Sequence, residues 1–120
     1  MHEDNNGRLD AAEQLAEHNP HIAAEAFSAI ACDPEAGDEV RLSAAEQLAA
    51  VDPQAAVKAF SAIARDEEVG DEVRLAAAEQ LAAVDPRAAA PACLAIARDE
   101  EVGDEVRLSA AQLAALDPSA

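Results

Sequence analysis

The string Asp-Glu-Val-Arg-Leu begins at Asp38 and recurs at Asp71 and Asp104, a spacing of 33 residues each time. One period earlier, Asn5-Asn6-Gly7-Arg8-Leu9 is a degenerate copy. An Asn-Pro or Asp-Pro pair keeps step at Asn19-Pro20, Asp52-Pro53, Asp85-Pro86 and Asp117-Pro118. A fixed period of this length restricts the chain to a repeat architecture, in which one unit cannot bury its own apolar faces and must stack on the next. The repeats run about 5–37, 38–70, 71–103 and 104–120, the last cut short, within a single domain spanning 1–120.

Two helices are legible inside one repeat. The first is predicted from about Asp38 to Val51, with Val40, Ala44, Ala45, Leu48 and Val51 forming a half-buried stripe. Asp52-Pro53 then stops one helix and starts another, because aspartate caps a helix N-terminus and proline fits its first turn. The second helix is predicted to reach about Arg65, with Ala56, Ala59, Phe60, Ile63 and Ala64 facing inward. Asp66-Glu67-Glu68-Val69-Gly70 turns the chain back. Apolar residues make up 51% of the chain but aromatics only 2%, so the core is alanine-rich and its helices approach closely. Phe60, in a central repeat, is expected to weigh more in that core than Phe27.

The pattern Val-Arg-x-x-Ala-Ala-x-x-Leu-x-x-Val-Asp-Pro, followed by a second helix, resembles HEAT-like repeats over nearly the whole chain. The resemblance implies an all-α fold, a right-handed α-solenoid of about three and a half helix–turn–helix repeats. It also implies a ladder between the turn aspartate and a basic residue six positions on. Asp52 with Lys58 fits that ladder, whereas Asn19 with Glu25 and Asp85 with Pro91 depart from it. Tetratricopeptide repeats share a similar period, but their large aromatic and glycine positions are missing here.

Eight basic against 25 acidic residues give a net charge of −17, spread over all four repeats. Such a field disfavours direct binding to nucleic acid or to an anionic membrane surface and admits a basic protein partner. Salt adaptation or simple solubility explains the acidity equally well. No apolar leader follows Met1 and no stretch is long enough to span a membrane, so a cytoplasmic location is expected.

Candidate chemistry is sparse. His18 and His21 straddle a helix break with no third ligand at ligand spacing, so no metal is expected, and His18 reads as part of a polar cap. Cys32 and Cys93 lie two repeats apart, about 20 Å at the usual helix spacing, so they are expected to be free thiols. Neither has a histidine in an aligned position. No cofactor loop or catalytic constellation is present, and no enzyme is expected.

The turns place Asp66, Glu67 and Glu68 beside Asp99, Glu100 and Glu101 as an acidic ridge, read as a solvated turn or as a docking edge. The second and third repeats differ in their first helices only at Ser43/Ala76. Their second helices differ at Gln54/Arg87, Val57/Ala90, Lys58/Pro91, Phe60/Cys93 and Ser61/Leu94. Variation on the second helices suits a recognition face of Gln54, Lys58, Ser61, Arg65, Arg87, Pro91, Leu94 and Arg98. Pro91 is expected to remove a hydrogen bond and kink its helix. The last first-helix keeps Val106, Leu113 and Leu116, an apolar edge expected either to be covered by a second copy in a homodimer or to be turned partly inward as a cap by the residue lost before Gln112. The function expected is a protein–protein interaction module that binds a macromolecular partner in the groove of the second helices. The alternative is an acidic nucleic-acid mimic that inhibits a basic DNA- or RNA-binding protein.

Overall fold

A computed structural model describes residues 5–116. Among the described residues the chain forms α-helices and no strand: α1 (Asn5–His18), α2 (Pro20–Ala31), α3 (Asp38–Val51), α4 (Pro53–Arg65), α5 (Asp71–Val84), α6 (Pro86–Arg98) and α7 (Asp104–Ala114). The fold is all-α, and α3 and α4 begin and end where the repeat pattern predicts. The fourth Asp-Pro pair, Asp117-Pro118, lies outside the described residues.

The helix junctions follow from their capping residues. Asn19 accepts the Ile22 N–H at 3.3 Å, Asp52 the Ala55 N–H at 3.2 Å, and Asp85 the Arg87 and Ala88 N–H groups at 3.2 and 3.3 Å. The proline that follows each cap has no N–H to satisfy. The longer turns use a second aspartate. Oδ1 of Asp33, Asp66 and Asp99 accepts the backbone N–H two residues on, at 2.9, 2.9 and 3.0 Å. Helix α6 runs uninterrupted through Pro91, which is exposed. Proline removes one hydrogen bond there without ending the helix.

The chain divides into two compact bodies, one ending at Ala59 and the other beginning at Phe60, with the division inside α4. In the N-terminal body α1 packs on α2, α2 on α3, and α1 reaches α3. Phe27 and Ile30 of α2 and Leu48 of α3 are buried among alanines at 12, 23, 31, 44 and 45. In the C-terminal body α5 packs on α6, α6 on α7, and α5 reaches α7. Its core holds Phe60, Ile63, Leu81, Cys93 and Ile96, with Val69 and Val102 tucked in from the turns. Phe27 and Phe60 are both fully buried, so burial does not rank them as the sequence suggested.

The apolar stripe predicted for α3 is buried at Ala44, Ala45 and Leu48 and half-buried at Val40 and Val51. The buried face also holds an arginine: it is Arg41, Ala44, Ala45 and Leu48 in α3, and Arg74, Ala77, Ala78 and Leu81 in α5. The arginine of the repeated pentapeptide is therefore an interior residue in α3 and α5, and half-buried in α7. Arg74 is 2% exposed, and its Nε donates to the carbonyl of Ala64 at 2.9 Å while Nη1 donates to Oδ2 of Asp99 at 2.9 Å. Arg41 and Arg107 make the same Nε bond to Ala31 and Ala97, each at 2.9 Å. Arg8 donates from Nη1 to Asp33 at 2.8 Å. The guanidinium thus satisfies a carbonyl left open where the preceding second helix ends and, in Arg8 and Arg74, reaches the aspartate of a turn.

Candidate interaction face

Residues 54, 58, 61 and 65 of α4, and 87, 91, 94 and 98 of α6, follow the i, i+4, i+7, i+11 spacing of a single helical row. In the N-terminal body Gln54 and Lys58 are exposed. In the C-terminal body Ser61 is half-buried, and Arg65, Arg87, Pro91, Leu94 and Arg98 are exposed, Leu94 at 37%. Every residue predicted for the recognition face except Ser61 thus lies open to solvent, and none belongs to the core.

The N-terminal body carries a cleft of about 540 Å³ between α2 and the start of α4, lined by His21, Glu25, Ser28, Asp52 and three alanines at 24, 29 and 55. It continues toward Gln54 and Lys58. The small alanine side chains leave the hollow, and the polar residues rim it. Asp52 and Lys58 share this cleft without forming an ion pair. The Asp52 carboxylate caps α4 instead, so the aspartate–lysine rung implied by the resemblance is not made among the described residues.

The basic residues fall into two groups. Arg8, Arg41, Arg74 and Arg107 occupy the repeated position described above, buried at Arg41 and Arg74 and half-buried at Arg8 and Arg107. The other four of the chain's eight cations, Lys58, Arg65, Arg87 and Arg98, all stand in the exposed rows of the second helices. Among the described residues these four side chains make no ion pair and no hydrogen bond. The sequence showed the positions, but it did not separate these cations from the interior arginines. The signal was available: the interior arginine recurs at the 33-residue period, and the surface cations do not all do so.

The acidic ridge is partly structural. Asp99 is held by Arg74 and by the Glu101 N–H, and these two contacts lower its carboxyl below the ordinary carboxylate value. Asp33 is lowered for the same reasons, by Arg8 and by the Glu35 N–H. Asp71 accepts the Gly103 N–H at 3.0 Å. Glu67, Glu68, Glu100 and Glu101 remain exposed. In the C-terminal body Glu67, Arg98, Asp99, Glu100 and Glu101 line a cleft of about 460 Å³.

Both cysteines are free: Cys32 is exposed and Cys93 is buried, where loss of solvation pushes its thiol upward. His18 and His21 are exposed on different clefts. Among the described residues no group of three His, Cys, Asp or Glu side chains is placed to hold a metal ion. None of the described helices is long and apolar enough to cross a membrane. On α7, Val106 and Leu113 are half-buried, while Leu108 and Leu116 are exposed at 61% and 63%. No family model matches the chain, and no curated protein or solved structure is detectably similar to it.

Proposed function

We propose that this chain is a protein-binding module built as a HEAT-like, right-handed α-solenoid, and that it engages its partner along the exposed rows of its second helices. One observation carries this reading: the unpaired cations and three of the five second-helix differences between the central repeats, at 54/87, 58/91 and 61/94, share those rows. Of the other two, one is the core pair Phe60/Cys93 and one the half-buried pair Val57/Ala90. A solenoid offers a continuous surface to its partners, and side chains that no longer serve the core are free to diversify there. The mimic reading draws less support, because Asp33, Asp71 and Asp99 are bound up in internal contacts rather than arrayed toward a basic protein.

A photo-crosslinking residue tests the reading at Leu94, compared with the same residue at Glu79, which is exposed on first-helix α5. In lysate from the native cell, a discrete protein adduct is expected at position 94 and none at 79. Adducts at 79 alone would overturn the second-helix face.

A further inference from the structure

We infer that the α6 face recognises its partner through carboxylates, taking an acidic segment of another protein with an apolar side chain set between two acidic ones. This inference rests on the docking face proposed above and goes further by naming the chemistry of the occupant. On a chain of net charge −17, solubility alone predicts an acidic surface everywhere. The α6 face departs from that. Arg87 and Arg98 stand eleven residues apart in one row, about 16 Å along the helix axis. Pro91 and Leu94 lie between them, both exposed. Among the described residues neither arginine has a hydrogen-bond or ion-pair partner to hold its guanidinium, unlike Arg74, whose Nε and Nη1 are both bonded. In the same body Arg65 adds a third unpaired guanidinium in the matching row of α4.

A free guanidinium offers a planar fork of donors that fits a carboxylate in two parallel hydrogen bonds. Two forks flanking a leucine and a proline read an acidic–apolar–acidic pattern. The neighbouring acids narrow the choice further. Glu67, Glu100 and Glu101 border Arg98 in its cleft. They repel a ligand of dense, continuous charge such as a nucleic-acid strand, with its phosphate at every nucleotide. A peptide meets that repulsion only where its one carboxylate stands over Arg98, because Arg87, about 16 Å away, lies beyond the screening length of about 8 Å at physiological salt.

The test selects random dodecapeptides displayed on phage against the full chain, in parallel with the variant Arg87→Glu/Arg98→Glu. Both substitutions are at exposed, unpaired side chains, so circular dichroism should show an unchanged fold. Peptides enriched on the wild type are expected to carry Asp or Glu on either side of Leu, Ile or Phe. Their affinity, by fluorescence anisotropy, should fall about tenfold or more in the double variant and fall again as salt is raised. Leu94→Ala should weaken the same peptides. Recovery of neutral or basic peptides that still depend on residues 87 and 98 would refute the acidic partner and leave the docking face standing. Peptides indifferent to the charge reversal, or no enrichment over the variant, would refute both. Tighter binding of a single-stranded oligonucleotide than of any recovered peptide would also overturn the inference.

Discussion

Replacing Arg74 by alanine removes three things at once. The Ala64 carbonyl loses its charged donor, Asp99 loses its ion-pair partner, and the apolar stem of a side chain 2% exposed leaves a void beside Ala77, Ala78 and Leu81. A buried acceptor left unsatisfied costs about 1–3 kcal/mol, and breaking a buried ion pair costs about 3–5 kcal/mol. Asp99 keeps its bond to the Glu101 N–H and stays near solvent, so the lower figure applies and the loss is on the order of 3 kcal/mol. In a domain of this size that lowers the melting temperature by roughly 10–20 °C. Arg8→Ala is the internal control. Its bond to Asp33 has the same geometry, 2.8 Å against 2.9 Å, but the side chains are 30% and 28% exposed rather than 2% and 16%. A pair so open to water contributes about 0–1 kcal/mol. Thermal denaturation followed by circular dichroism should therefore rank Arg74→Ala far below Arg8→Ala. Equal melting temperatures would show that burial does not set the strength of this contact.

Phe27→Ala and Phe60→Ala should each cost about 3–5 kcal/mol by urea denaturation, since both rings are fully buried; a marginal effect at either would mean that the core yields to fill the gap. A thiol reagent at neutral pH should titrate Cys32 quickly in the native protein and Cys93 only after denaturation, because burial both shields the Cys93 thiol and disfavours its thiolate. Asp33 and Asp99 have folded pKa values below the unfolded carboxylate range, so their contribution to stability is fully present above that range and is lost as pH falls through the lowered values; Asp99→Asn should flatten the acid limb of a melting-temperature profile. Added salt should raise the melting temperature, because it screens the self-repulsion of a −17 chain, and a melt that falls instead would place the net effect of salt on attractive pairs.

The period and the Asp-Pro pairs were enough to place α3 and α4 to the residue, because capping and proline chemistry act within a few positions of the chain. The inward positions of α4 were equally legible, for Ala56, Ala59, Phe60, Ile63 and Ala64 are all buried. The first helices were not read as well. Hydrophobic patterning finds the buried Ala44, Ala45 and Leu48 and the half-buried Val40 and Val51, but it passes over Arg41, which is buried beside them. An arginine at the centre of a stripe is invisible to a rule that counts apolar residues. Its interior place depends on a carbonyl ten residues earlier, and for Arg8 and Arg74 on an aspartate 25 residues later. The acidic turns misled for the same reason: Asp99 reads as surface charge until its partner is known.

These contacts explain why the two classes of cation differ in regularity. The interior arginine joins the end of one repeat to the first helix of the next through the Ala31, Ala64 and Ala97 carbonyls, so its geometry recurs wherever a repeat is added. Lysine's three donors all radiate from one nitrogen, whereas Arg74 reaches the carbonyl from Nε and the carboxylate from Nη1, two separate atoms of one rigid plane. That position is therefore tied to the 33-residue period and appears as Arg8, Arg41, Arg74 and Arg107. Residues 54, 58, 61, 87, 91 and 94 answer to no such constraint, because among the described residues none of their side chains makes a hydrogen bond or ion pair. A Lys58 can become a Pro91 and a Ser61 a Leu94 without disturbing the stack, and α6 does run unbroken through that proline. Three of the five second-helix differences fall in these rows, while Phe60/Cys93 trades one buried side chain for another and Val57/Ala90 is half-buried.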